Sequence, residues 1–338
     1  MIGQQSGRMN LIFICLLFIF FCSPIEKKEI KSRNIVTFKL EKFDKPKKNR
    51  GLLAEHYPAS NERRIDLFWN VIEDLGGVYL GVGTDQNLSL AARAKSDLVI
   101  LMDFDPEIVK VNQLHIFFLK NTNNYEEFKN LWERKNRDST IQFINNNGGY
   151  EKEDLLIGHT IGLKPGIGVP ERLSELEYMH SNFKLDTFSH NVNEFLFLKN
   201  LALSDKIISV YGDLTGDVSL NEISKFLREN EMTINLMYTS NAEEYFKFPK
   251  EYRHNIKILP INEKSIIVRT LTAGARSYGF PKGEKFPDTF PFHYNYQPLS
   301  NLKKWMEYQK EFNILFMMNH RTDIEKGFSK LEKEPPFN

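Results

Sequence analysis

The chain has 338 residues, 41% of them hydrophobic and 26% charged, with 27 Phe and 13 Tyr, which is enough apolar material for a large core and excludes wholesale disorder. Lys and Arg number 45 against 44 Asp and Glu, a net charge of +1, so no global basic field recruits nucleic acid. The 2 cysteines are Cys15 and Cys22, so disulfides, thiolate zinc sites and a cysteine nucleophile are excluded from everything after them.

Residues 1–22 read as a lipoprotein-type signal peptide. Leu11 to Phe21 is an unbroken apolar run of 11 residues behind Arg8, too short for the roughly 20 residues that span a bilayer. Cys22 stands where a bacterial lipoprotein carries its acylated cysteine, although Phe21 is bulkier than the residue that usually precedes it. The expectation is an exported protein anchored in a bacterial cell envelope by an N-terminal lipid on Cys22. A start assigned too far upstream would instead make the body cytoplasmic. Residues 23–55 are rich in Lys and Arg without periodicity, and read as a basic, solvated tether.

The body, 56–320, alternates strand and helix. Ser60 is positioned to cap a helix reaching Leu75, with Ile65, Phe68, Trp69 and Ile72 on one face. Val78-Tyr79-Leu80 is a short buried strand that leads into Gly81-Val82-Gly83-Thr84-Asp85-Gln86-Asn87 and then a helix. Leu98 to Met102 is a second buried strand, ending in Asp103-Phe104-Asp105, and Asp105-Pro106 starts a helix. Residues 120–204 read as a helical insertion, clearest at Tyr125–Trp132, Glu171–His180 and Asn191–Leu203, with Gly158–Pro170 as a loop. Strands return at Lys206–Tyr211, Thr233–Tyr238, Ser265–Thr270 and His293–Gln297. The segment Ala273–Pro291 reads as a long loop or lid, Leu302–Phe316 as a closing helix, and 321–338 as a C-terminal tail. This grammar predicts an α/β fold: a Rossmann-like, doubly wound, mostly parallel sheet with a helical insertion.

In such sheets ligands bind beyond the carboxyl ends of the strands. Gly81 and Gly83 allow a tight turn and close approach to a ligand, and Asp103, 20 residues past Gly83, has the offset of a carboxylate that grips a ribose. Asp85, Asn87, Asp105 and Asp213 lie at neighbouring strand ends, as do Thr239, Ser240 and Asn241. Several have a plainer alternative. The glycines make a turn, and Asp105, Asp213 and Asn241 cap the helices that follow them. The 8 histidines are scattered without metal-ligand spacing, so no metal is expected; His115 reads as core, whereas His159 and His293 are candidates to line a pocket. Arg269 and Arg276 flank the lid.

With these motifs in place the chain resembles class I S-adenosylmethionine-dependent methyltransferases. The resemblance implies that Gly81-Val82-Gly83 is the glycine motif, Asp103 or Asp105 the ribose acid, Asp213 the adenine-side acid, and Thr239 to Asn241 the substrate side. Tyr79 stands where that motif usually has an acid, and Asp85 where it has a third glycine. The stretches GVGTDQN, GDLTG and SNAEEYF also resemble an uncharacterised bacterial family, often exported, with a Rossmann-like body. S-adenosylmethionine is a cytosolic metabolite, so export and methyl transfer pull in opposite directions. Two functions therefore stand: a protein binding S-adenosylmethionine or another nucleoside, active as a methyltransferase in the catalytic version, and a non-catalytic lipoprotein binding a small ligand or a protein partner, the host included.

Overall fold

The computed structural model of the protein describes residues 1, 42–45, 57–274, 276–284 and 290–336. Cys22 and the signal segment lie outside the described residues. Everything below belongs to one compact unit, Thr37–Asn338.

The first two strands are β1 (Val78–Val82) and β2 (Leu98–Asp103). Both are buried nearly throughout, the signature of parallel strands covered on two faces. β3 (Ile207–Tyr211), β4 (Ile234–Tyr238) and β5 (Ile266–Thr272) run parallel to them. β6 (Phe292–Pro298) is antiparallel to β5, and β7 (Thr322–Glu325) and β8 (Phe328–Lys330) complete an eight-stranded sheet of order β3-β2-β1-β4-β5-β6-β8-β7. The reversal between β1 and β4 is the topological switch point of a doubly wound, Rossmann-like sheet. Residues 321–338, expected as a tail, instead supply β7 and β8. They gave no signal because β7 is exposed at every position and β8 has only 3 residues.

Side-chain alternation splits the core in two. Tyr79, Val99, Leu101, Leu236, Tyr238 and Val268 face one layer. That layer holds α1 (Trp69–Ile72), α2 (Gln86–Arg93), α3 (Pro106–Asn121) and the helices inserted between α3 and β3. Val78, Leu80, Ile100, Met102, Met237 and Ile267 face the other, built largely from helices downstream of β3.

The insertion comprises α4 (Tyr125–Trp132), α5 (Arg137–Asn147), α6 (Lys152–Gly162), α7 (Val169–Phe183) and α8 (Val192–Leu203). α4, α7 and α8 fall where the sequence pattern puts them. Gly158 to Gly162, expected in a loop, instead close α6. A Cβ on Gly158 would strike the Lys110 carbonyl oxygen of α3, so the glycine permits close helix–helix approach rather than a turn. The opposite layer contains α9 (Ser219–Glu229), α10 (Lys250–Ile258), α11 (Leu299–Trp305) and α12 (Ile314–Met317), so the expected closing helix is two short ones.

The helix expected from Ser60 to Leu75 is also much shorter: a 3₁₀ turn at Ile65–Phe68 and then α1. Residues 57–64 have neither helix nor strand. Ser60 does not cap a helix, because its hydroxyl reaches across to the Gln86 side-chain oxygen at 2.8 Å. In the segment Ala273–Pro291 the described residues likewise have no helix or strand; residues 275 and 285–289 lie outside the description.

Candidate functional site: the carboxyl rim of the sheet

Parallel pairing of β1 with β2, Gly81 opposite Leu101 and Val82 opposite Met102, carries Gly83 and Asp103 to the same rim. The Gly83 N–H donates to Asp103 Oδ2 at 3.0 Å, and the Asp105 N–H donates to Asp103 Oδ1 at 2.9 Å. Asp105 in turn accepts from the Glu107 N–H at 2.9 Å and caps α3, with Pro106 in its first turn. Gly83 has φ +89°, and its carbonyl accepts from Asn112 of α3 at 2.8 Å. The rim is therefore braced by the chain's own groups.

The space beside Gly81 is filled by Asn87. A Cβ at Gly81 would collide with Asn87 Oδ1, which accepts a 2.7 Å hydrogen bond from the Tyr79 hydroxyl. Asn87 Nδ2 donates to the Val82 and Thr84 carbonyls at 3.0 and 2.9 Å. Burial and the nearby Glu62 charge hold the Tyr79 phenol well above its ordinary pKa, so it stays a hydroxyl donor. The two positions that depart from the methyltransferase motif, Tyr79 and Asp85, are both structural here.

Asp85 is the hub at the start of α2. It accepts from the Ser60 N–H at 2.8 Å, from Thr84 Oγ1 at 3.1 Å and from Arg172 Nε at 3.0 Å. The Asp85 and Arg172 side chains are each 1% exposed. Arg172 comes from α7 in the insertion, and also reaches Gln86 Oε1 at 3.0 Å and Glu175 at 2.8 Å. Burial works against its charge, but Asp85 and Glu175 more than offset this and raise its pKa. Removing one partner of such a pair typically costs about 3–5 kcal/mol, because the other charge is left buried alone.

A second carboxylate, Glu62, sits at the switch point. Its oxygens accept from Ser240 Oγ at 2.7 Å and from the side chains of Gln86, Tyr238 and Thr270, with Ser60 Oγ 3.2 Å away and turned to Gln86. Ser240 adopts φ +51°, a left-handed conformation unusual for serine, at the turn that directs this hydroxyl. Next to this cluster Glu284 accepts from the Tyr294 hydroxyl at 2.8 Å and from the Arg64 and Phe292 N–H groups at 3.2 and 3.3 Å. Burial pushes the Glu284 carboxyl up to about 8, against the lowering effect of Tyr294 and Arg63, with the Glu62 charge adding to the rise.

Asp213 makes a turn rather than facing open space: its Oδ1 accepts from the Thr215 N–H at 2.8 Å and the Thr215 hydroxyl at 2.7 Å. Beside it, Asp44 accepts from the N–H groups of Asp213, Val218 and Ser219 at 3.1, 2.9 and 3.3 Å. Asp44 belongs to the segment read as a solvated tether, yet it is 8% exposed and seals the start of α9. Thr239 donates to Glu243 at 3.1 Å, on the far side of β4 from Glu62, where Arg269 pairs with Glu243 at 2.5 Å. Asn241 donates to the Tyr245 hydroxyl at 3.3 Å and does not cap the short 3₁₀ turn that follows it. Arg276 pairs with Glu244. Thus Thr239, Ser240 and Asn241 do not converge: only Ser240 joins the switch-point cluster.

The three histidines singled out by the sequence, His115, His159 and His293, are packed away. His115 lies against Phe128 and Trp132, with burial lowering its pKa to about 4, and burial does the same to His159 and His293. His293 is fixed by Ser329 at 2.8 Å. Among the described residues no group of three or more His, Cys, Asp or Glu is placed to hold a metal, and no helix is long and apolar enough to cross a membrane.

The sequence pattern matches one family over residues 57–332. The chain belongs to that family, a domain of unknown function, DUF7790. No curated protein matches it. Two structures of the rRNA methyltransferase aviRa from Streptomyces viridochromogenes are similar to this DUF7790 chain, at 10% and 9% identity. They cover 66% and 61% of this chain and 76% and 72% of theirs, each with a TM-score of 0.25. The fold assignment rests on the strand order and pairing of the DUF7790 chain itself.

The residues assigned to S-adenosylmethionine by resemblance do not fit that group as they stand. Asp103 is turned onto two backbone N–H groups, Asn87 occupies the space beside Gly81, and Asp213 closes a turn beside Asp44. Sequence reasoning missed Glu62, Arg172, Gln86, Tyr238, Thr270 and Glu284. Gln86 alone lay inside a motif already singled out.

The buried Glu284 carboxyl has a pH signature. It is protonated in the folded state up to about 8 but ionises near its ordinary value of 4.5 when unfolded. Its contribution is therefore complete below pH 4.5 and is lost as pH rises through 8, by up to about 1.4 kcal/mol per pH unit between these values. In chemical denaturation at pH 5 to 9, Glu284→Gln is expected to be more stable than wild type above pH 7 and to show a flatter profile. Parallel profiles would contradict this.

Proposed function

We propose that this chain is a lipoprotein-type exported protein, lipidated at Cys22, whose Rossmann-like body binds a small ligand or protein partner without transferring a methyl group. The observation that carries this reading is the closure of the rim. The Gly83 N–H is taken by Asp103, the space beside Gly81 by Asn87 and the start of α9 by Asp44, while Arg172 of the insertion holds Asp85 at the start of α2. Filling the Gly83 donor and the space beside Gly81 internally takes away one backbone N–H and the open approach with which a glycine turn holds a nucleotide. The envelope location draws its support from the Arg8 to Cys22 pattern. It also fits a body without a cytosolic methyl donor.

A second reading, binding of S-adenosylmethionine, is favoured by one observation: Asp103 lies beside Gly83 at adjacent strand ends. That reading requires Asn87 and Asp103 to give up the bonds described above.

Titration calorimetry of the purified protein with S-adenosylmethionine and with S-adenosylhomocysteine separates the two. No heat above dilution is expected. Saturable heat that disappears in Asp103→Ala would overturn the non-methyltransferase reading. Metabolic labelling with palmitate is expected to mark wild type but not Cys22→Ala, and an unlabelled wild type would overturn the anchor.

A further inference from the structure

Several buried carboxylates of this protein are matched by an arginine. Asp85 pairs with Arg172, Glu243 with Arg269, Glu244 with Arg276 and Glu194 with Arg93. Glu62, 2% exposed, pairs with no Lys or Arg among the described residues, and its charge is met only by neutral hydroxyl and amide donors. Those donors belong to the rim rather than to the segment that carries Glu62. Gln86 opens α2, Tyr238 ends β4, Ser240 follows it, and Thr270 lies on β5. Their backbone is set by the sheet rather than by Glu62, with the Thr270 N–H donating to the Ser240 carbonyl at 3.1 Å. Tyr238 is fixed by pairing opposite Val268, and Gln86 Oε1 accepts from Arg172 at 3.0 Å. A prebuilt set of neutral donors at the switch point of a doubly wound sheet is where such folds bind ligands.

We propose that Gln86, Tyr238, Ser240 and Thr270 form a carboxylate-binding seat, and that Glu62 is its built-in occupant, replaceable by a small carboxylic-acid ligand. The seat gives the non-methyltransferase reading its ligand class and rests on that reading. The segment 57–64 delivers the Glu62 carboxylate from outside the strand–helix units, as Asp44 delivers another to the start of α9. A ligand carboxylate placed in the seat would accept the same hydrogen bonds and displace the Glu62 side chain. No bond is made or broken in the exchange.

Propionate, which matches the side chain of Glu62, tests the seat in the full-length protein. Glu62→Ala is expected to bind propionate saturably by calorimetry and to gain thermal stability as propionate is added, while sodium chloride at equal ionic strength has no such effect. Wild type is expected to bind at least about ten-fold more weakly, because its own carboxylate competes. Adding Thr270→Val to Glu62→Ala should weaken binding by about ten-fold, the loss of one hydrogen bond to a charged group. If Glu62→Ala does not fold, Glu62→Gln replaces it, since the donors hold a neutral amide less tightly and propionate should bind several-fold better than to wild type. Propionate binding to neither variant, or equal binding to variant and wild type, would overturn the seat. Saturable heat with S-adenosylmethionine that disappears in Asp103→Ala but survives Thr270→Val would instead overturn the reading on which it rests, so the two failures are distinct.

Discussion

Backbone N–H groups at the carboxyl rim of a parallel sheet need acceptors, and in this protein the chain supplies them as carboxylates of its own. Asp103 takes the N–H groups of Gly83 and Asp105; Asp44 takes those of Asp213, Val218 and Ser219. Asp85 takes the N–H of Ser60 and, through Arg172, fastens the insertion to the start of α2. The rest of the architecture at this end follows from that constraint, since an unsatisfied buried donor costs about 1–3 kcal/mol and here several lie side by side.

Satisfying a rim with carboxylates creates a second requirement: the buried negative charge has to be met. The helical insertion does part of this by sending Arg172 into the sheet layer, which gives a physical purpose to the long crossover between Asp105 and β3. Glu62 is met differently, by hydroxyls and an amide alone, and Glu284 by remaining protonated. One neighbourhood of the rim therefore contains a fixed ion pair, a carboxylate on neutral donors, and a neutral acid. Such divergence among neighbouring acids is what burial and local partners produce.

Much of the fold was legible in the sequence because buried parallel strands appear as short continuous apolar runs and because Asp105-Pro106 announces its helix. The adjacency of Gly83 and Asp103 also followed from the strand–turn–helix–strand grammar. What the pattern could not carry was long-range satisfaction. Ser60 has the chemistry of a cap, but its hydroxyl is taken by Gln86, so the expected helix shrinks to a turn. Gly158 looks like loop punctuation and instead lets α6 press on α3. Glu62 reaches Ser240 and Thr270 from 178 and 208 positions away, and Arg172 reaches Asp85 from 87, so no local spacing marks them. Asp213 follows the end of β3, and its bond to Thr215 makes it part of a turn.

Native-state amide hydrogen exchange of Gly83, Val218 and Ser219 in the full-length protein tests self-occupation of the rim most directly. If the chain's carboxylates hold these groups, all three are strongly protected in wild type, and Asp44→Ala releases Val218 and Ser219 while leaving Gly83 protected. Exchange of all three at the rate of an open loop in wild type would contradict a rim closed from within.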